Sequence, residues 1–287
     1  MGPSQSVIDR IGRIVGWGPR DWRPVRGGYT AAARYVVSNG DKAVFAKVAT
    51  TPLSARMLRL EAANYGKLSG TYLPHFIGFE DDGAEPALVL ENLSAATWPP
   101  PWSDASVAAV LEQIEALHAS EAAMETFSAV HGSWTPGWQL VAADPGPFLG
   151  LGIVSAAWLD RALPALLEAE SACAVEGNAV CHFDLRSDNM CISATGAKFV
   201  DWSEACLANP LLDIGAWLPS LHFEGGPPPE AILPDAPDIA AWLCGFFAAR
   251  AGLPIIPDAP FVRRVQREQL SMALPWVQRA LSLPEGY

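Results

Sequence analysis

Residues 95–102, Ala-Ala-Thr-Trp-Pro-Pro-Pro-Trp, divide the chain into two differently patterned parts. Consecutive prolines remove backbone donors and fix φ, so neither a helix nor a strand continues through them. Before this break, short apolar runs alternate with turn residues; after it, helical spacing dominates. Residues 1–21 carry Val7, Ile8, Ile11, Ile14 and Val15 near helical spacing. A turn, Arg26-Gly27-Gly28, follows Pro24. Arg34-Tyr35-Val36-Val37 and residues 43–48 flank Asn39-Gly40 and predict a β-hairpin. Thr51-Pro52 opens a helix, with Thr as N-cap and Pro first inside, running to about Leu68 and stopping at Gly70. Strand-like runs follow at 75–79 and 87–90. Beyond the break, helices are expected at 106–118, 155–170, 211–221, 238–251 and 261–281, with one strand-rich interruption at 179–201. The expected fold class is α+β: a small β-rich N-lobe over residues 1–94 and a larger, mainly helical C-lobe over residues 95–287.

With 287 residues the chain is long enough to bury its core without disulfides. Its 19 basic and 31 acidic residues give a net charge of −12. That balance repels phosphate backbones and anionic lipid, so no nucleic-acid and no membrane partner is expected. The five cysteines are odd in number and show no C-x-x-C spacing, which predicts reduced, buried thiols. Asp9, Arg10 and Arg13 interrupt the N-terminal apolar residues, so no secretory leader is read and a cytoplasmic location is expected.

The segment richest in chemistry is residues 180–202. Met190 to Ser193 and Ala197 to Val200 read as short strands around Ala194-Thr195-Gly196. With the hairpin centred on Thr195, Asn189 and Asp201 are cross-strand partners on one face, with Cβ atoms about 5 Å apart. A carboxamide oxygen and a carboxylate converging there are hard ligands that suit Mg²⁺. Asp184, in the loop entering the hairpin, stands where a carboxylate could take a proton from an attacking hydroxyl. Singly, these residues are ordinary turn residues. H-x-D-x-x-x-x-N followed by a strand-terminal Asp-Trp is a far more specific combination.

His182 through Asn189, followed by Asp201-Trp202, resembles the aminoglycoside phosphotransferase family, which has a bilobal protein-kinase-like fold. The resemblance implies that Asp184 is the catalytic base and that Asn189 and Asp201 bind Mg²⁺. It implies that Arg186 stabilises the transferring phosphoryl and that His182 braces the loop. Phe183 stands where these phosphotransferases often have Gly. Asn209-Pro210-Leu211-Leu212-Asp213 resembles the family's D-P-x-x-D stretch, with Asn for its first Asp and Asp213 as a buttress of the catalytic loop.

A fold of this kind needs a strand lysine and a helix glutamate. Lys47 lies in an apolar strand. At about 100° per residue from Leu53, Leu60 falls near −20°, Met57 near 40°, Leu68 near 60° and Leu58 near 140°, with Glu61 near 80° inside this arc. A buried Glu61 needs a partner, and Lys47 is the candidate; the alternative is a strand-edge Lys47 with Glu61 paired locally to Arg56. By the same resemblance Gly27, Gly28 and Thr30 belong to a loop covering the donor's phosphates, and backbone groups at Glu91 and Leu93 meet the nucleobase. The implied activity is Mg²⁺-dependent transfer of the γ-phosphoryl of ATP or GTP to a hydroxyl of a small molecule. The acceptor is an aminoglycoside or other antibiotic, or an ordinary sugar or amino-alcohol metabolite; a non-catalytic nucleotide-binding module is the remaining alternative. Aromatic residues such as Trp98, Trp102, Trp138, Trp202 and Trp217 read as core or as the lining of a cleft.

Overall fold

The structure is a computed structural model that describes residues 2–25, 27, 31–132, 135–257 and 259–284. In chain order its elements are α1 (Gln5–Val15), β1 (Asp21–Pro24), β2 (Ala32–Ser38), β3 (Ala43–Ala49), α2 (Pro52–Tyr65), β4 (Phe76–Glu80), β5 (Ala87–Glu91) and α3 (Asp104–His118). Next come α4 (Phe127–His131), α5 (Gly137–Ala143), α6 (Gly146–Leu149), α7 (Ala156–Ala172) and β6 (Ala179–Cys181). The hairpin β7 (Met190–Ser193) and β8 (Gly196–Phe199), then β9 (Cys206–Ala208), α8 (Pro210–Phe223), α9 (Pro237–Ala251) and α10 (Val262–Ala280) complete the chain. The class is α+β, as the sequence predicts: a five-stranded antiparallel sheet precedes a mainly helical region.

The chain forms two compact units. The first comprises residues 1–99, 104–124 and 187–205; the second comprises 100–103, 125–186 and 206–287. In the first, the sheet order is β1-β2-β3-β5-β4. Asn39 builds the β2–β3 turn, its side-chain oxygen accepting from the Asp41 and Lys42 amides, while Gly40 takes φ 103°. Strand alternation splits the sheet's residues into two sets. Trp22, Ala33, Tyr35, Val37, Val44, Ala46 and Val48 pack in one core with Val7 and Ile11 of α1. Ser4 caps α1, accepting from the Val7 amide, and Gly16 closes it in the left-handed conformation.

β1 is a strand the sequence reading placed before a turn and did not assign. Pro24 is accommodated because β1 is the sheet's edge, where a missing donor is tolerated. Trp22 secures it, edge-on to Tyr35 at 5.4 Å. α2 starts as expected, with Thr51 and Ser54 forming a reciprocal capping box and Pro52 in the first turn.

The β7–β8 hairpin belongs to the first unit and is fastened to it on several sides. The Phe199 amide donates to the Tyr72 carbonyl (2.7 Å), and Thr97 and Ile192 exchange backbone bonds (2.9 and 2.8 Å). Asn64 of α2 donates its amide to the Trp202 carbonyl (2.8 Å), and the buried Trp202 indole donates to the Phe199 carbonyl (2.9 Å).

In the second unit β6 and β9 pair antiparallel, and α9 is apolar on nearly every side, a centre for other helices. α4, α5 and α6 were not read from the sequence, because each is too short to show a period amid Gly and Pro. α5 depends on Glu170 of α7, whose carboxylate accepts the Trp138 amide at 3.0 Å. Gly245 of α9 makes the room, since a Cβ there would sit 2.4 Å from Glu170 Oε1. Burial raises the Glu170 carboxyl to about 7, against the opposing bonds from the Trp138, Gly137 and Gln139 amides.

This carries a pH consequence. A raised folded-state value means that the folded protein holds the proton more tightly than the unfolded chain. The associated stability is complete below about 4.5, falls as pH rises from 4.5 to 7, and is flat above. The difference is about 3 kcal/mol. Chemical denaturation from pH 4.5 to 8 should show this decline in wild type relative to Glu170→Gln. Parallel stability curves would show that Glu170 titrates normally.

All five cysteines are buried, and none is in a disulfide. Burial pushes the thiols of Cys173 and Cys191 up to about 12, so they are packing residues rather than nucleophiles. Among the described residues no helix is long and apolar enough to cross a membrane.

Candidate active site

The site in the first unit is built around an ion trio. Lys47 Nζ lies 2.7 Å from Glu61 Oε2 and 2.9 Å from Asp201 Oδ1. The Lys47 and Glu61 side chains are 8% and 2% exposed, so this is a buried pair rather than a strand-edge charge. Desolvation disfavours the Lys47 ammonium, yet Asp201 and Glu61 outweigh it and hold its pKa above the ordinary lysine value. Burial pushes the Glu61 carboxyl up, and Lys47 pulls against that rise.

The helical arc used to place Glu61 needs correction. Leu53 and Leu60 are 42% and 41% exposed. The buried face is Ser54, Ala55, Leu58, Glu61, Ala62, Asn64 and Tyr65, so its centre lies about 40° beyond Glu61 at 100° per residue. Glu61 is buried within that face, and its carboxylate reaches Lys47 of β3.

Asn189 and Asp201 also depart from the expected pairing. β7 and β8 join through two residues, Ala194 and Thr195, with Ser193 opposite Gly196 and Met190 opposite Phe199. The Val200 amide therefore donates to the Asn189 carbonyl (2.9 Å), and Asp201 is not the cross-strand partner of Asn189. Asp201 instead takes the left-handed conformation (φ 71°), which turns the chain at the end of the hairpin. Both residues still line one cavity of 460 Å³.

That cavity, wholly within the first unit, brings together Gly27, Lys47, Glu61, Glu91, Leu93, Asn189 and Asp201 from the predicted set. Gly28 and Thr30 lie outside the described residues. The Glu91 amide donates to the His75 carbonyl (2.9 Å), and the Leu93 carbonyl accepts the Ala96 amide (3.0 Å) and the Trp98 indole (3.3 Å). Trp98, read from the sequence as core or cleft lining, also lines the cavity, as do Asp188 and two arginines, Arg23 and Arg34, that sequence reasoning did not select. Counting register from the Asn39-Gly40 turn would have found Arg34, which lies directly opposite Lys47.

The chemistry of the donor set fits Mg²⁺. Asn189 and Asp201, both in the cavity's lining, offer hard oxygens, and Mg²⁺ takes one or two protein ligands of this kind with the rest from water and phosphate.

Asp184 and Arg186 lie in the second unit, in the loop after β6. Arg186 Nη1 is 3.5 Å from Asp184 Oδ1. Asp213, fully buried in the first turn of α8, accepts the His182 amide (3.0 Å) and the Phe183 amide (2.8 Å). The Asp184 amide donates to His182 Nδ1 (3.2 Å), which places that ring's proton on Nε2. Two side chains thus hold three successive amides of the loop.

Phe183 has φ 63°, a conformation that glycine adopts without penalty. Here aromatic packing holds a large residue in it, with Phe127 at 5.1 Å, His131 at 5.4 Å and Trp242 at 6.3 Å. Asn209 caps α8 by accepting the Leu211 amide (3.0 Å) and donates to the Ala174 carbonyl (2.7 Å).

Similar structures share this fold. Aminoglycoside phosphotransferase APH(4)-Ia aligns with a TM-score of 0.60 at 14% identity, covering 98% of this chain and 99% of that one. A thermostable mutant of that enzyme, in ternary complex with ADP and hygromycin B, aligns with a TM-score of 0.59 at 15% identity, covering 97% and 98%. A choline/ethanolamine kinase family protein from Mesorhizobium loti aligns with a TM-score of 0.56 at 14% identity, covering 92% of each chain. No curated protein sequence matches the chain. The model of the phosphotransferase enzyme family matches residues 21–248. With most of its length inside that match, the chain belongs to the phosphotransferase enzyme family and is a small-molecule kinase.

Proposed function

We propose that the protein transfers the γ-phosphoryl of ATP or GTP to a hydroxyl of a small molecule, with Mg²⁺. The observation that carries this reading is the buried Lys47–Glu61–Asp201 trio facing a cavity that also holds Asn189. Lys47, oriented by Glu61, holds the donor's phosphates, and the loop containing Gly27, Gly28 and Thr30 covers them. Backbone groups at Glu91 and Leu93 meet the base. Asn189 and Asp201 hold Mg²⁺, which when bound neutralises phosphate charge. Asp184 orients the acceptor hydroxyl and takes its proton as the oxygen attacks the γ-phosphorus. The bond from that phosphorus to the bridging oxygen breaks, and the nucleoside diphosphate leaves with the bonding pair. Arg186, beside Asp184, meets charge on the transferring group. In this division residues 1–94 carry the donor, and residues 95–287 supply the catalytic loop, the metal ligands and the acceptor surface. Such a kinase draws on the cytoplasmic nucleotide pool.

The acceptor class is open between aminoglycosides or other antibiotics and ordinary sugars or amino alcohols. The test is nucleoside-diphosphate release from ATP and GTP with Mg²⁺ across a panel of all four, with product mass measured. Acceptor-dependent release with an 80 Da gain, one phosphoryl group replacing a hydrogen, is expected; about 80 Da is the signature of phosphoryl transfer. Mg²⁺-dependent nucleotide binding without release on any acceptor would favour the non-catalytic module. Absence of nucleotide binding would overturn the reading.

A further inference from the structure

The cavity face of the sheet carries a second cation beside Lys47. On β2 the residues Ala33, Tyr35 and Val37 pack toward α1, as do Val44, Ala46 and Val48 on β3. The alternate residues Arg34, Val36, Phe45 and Lys47 line the cavity. Register sets Arg34 directly opposite Lys47. Side chains so opposed have Cβ atoms about 5 Å apart, and like charges there repel. The Arg34 charge disfavours the charged form of Lys47, while it favours that of Glu61. Sheet packing does not call for a cation at this position, since Val36, two residues along the same face, serves the strand with an apolar side chain. Arg34 Nη1 donates to the Ala32 carbonyl (3.0 Å), which anchors the head group to its own strand.

We infer that Arg34 is a second phosphate-positioning residue, its guanidinium contacting the donor's phosphate chain alongside Lys47. The inference rests on the donor reading above. The two cations differ in kind. Lys47 is a point charge held by Glu61 and Asp201, and the planar guanidinium of Arg34 can grip two phosphate oxygens at once. A polyanion in the cavity would turn a repulsive cross-strand pair into a two-sided clamp.

The experiment is calorimetric titration of wild type, Arg34→Gln and Arg34→Lys with the Mg²⁺-triphosphate, the diphosphate and the bare nucleoside, in the purine series that wild type binds. Arg34→Gln should weaken triphosphate binding about tenfold or more and leave nucleoside binding unchanged, because a bond between charged partners is lost only where phosphate is present. Arg34→Lys should recover part of the loss. The donor KM should rise more than kcat falls, and the thermal midpoint should stay close to wild type. Undiminished triphosphate affinity in Arg34→Gln overturns the role of Arg34 alone. An equal loss for the nucleoside overturns it too, by showing a collapsed pocket. Failure of wild type to bind any nucleotide removes the donor reading and this inference together.

Discussion

Asp184→Asn is expected to lower kcat by about 10³-fold, the midrange for removing a positioned general base, with donor affinity unchanged within about twofold. The substitution is nearly isosteric, and other side chains hold the loop's backbone. Asp213 fixes the His182 and Phe183 amides, and His182 Nδ1 fixes the Asp184 amide. What the variant loses is charge and proton affinity at one point. Acceptor-dependent diphosphate release, followed to a single turnover, measures kcat; calorimetry on the same sample measures donor binding. A loss below about tenfold would remove Asp184 from proton transfer, given the usual range for such groups. A parallel collapse of donor affinity would assign it to binding. Asp213→Asn makes a useful companion, because it weakens the hold on the loop amides and should disturb the thermal midpoint as well as the rate.

The sequence made Lys47 legible because four lysines in 287 residues leave few candidates, and an ammonium inside an apolar strand demands a carboxylate. Glu61 was legible as that carboxylate, although the arc that pointed to it was misplaced. Leu53 and Leu60 are apolar but exposed, and a helical wheel weighs composition without knowing which side faces the sheet. The β7–β8 hairpin was legible as an element, but its register was not. A two-residue connection and a three-residue one differ by half a step, and that half step decides whether Asn189 opposes Val200 or Asp201. Asp201 still reaches the cavity because a left-handed residue redirects the chain, which no periodicity encodes. β1 and α4 to α6 escaped notice for a related reason. Pro24 and the Gly/Pro-rich stretch suppress the local signal, and tertiary packing supplies what propensity withholds. Phe183 shows the same override: three aromatic neighbours hold a non-glycine residue at φ 63°.

Lys47→Met should destabilise the fold by about 3–5 kcal/mol at pH 7, the usual penalty for breaking a buried ion pair from one side. The methionine fills the volume, so packing loss is small, and the effect comes from what remains. Glu61, buried, would face Asp201 without the ammonium that lies 2.7 Å from one and 2.9 Å from the other. Burial already pushes the Glu61 carboxyl above its ordinary value against the pull of Lys47, and removing that pull raises it further. A carboxyl raised in the folded state destabilises increasingly as pH climbs from its unfolded value through its folded one. The penalty should therefore be small near pH 4.5 and grow toward pH 8. Glu61→Leu alone removes the opposite partner and should also destabilise, because Lys47 keeps only Asp201. The double variant Lys47→Met/Glu61→Leu replaces both charges with apolar groups and should be clearly more stable than the sum of the two single losses, with a coupling of about 2–3 kcal/mol in the four-protein cycle. Activity should not return with it, since an apolar pair cannot hold phosphate. Urea titrations of the four proteins at pH 5 and pH 7.5, with diphosphate release measured beside them, separate the two roles. Additive stability losses would deny the coupling. A double variant as active as wild type would show that Lys47 and Glu61 serve only the fold.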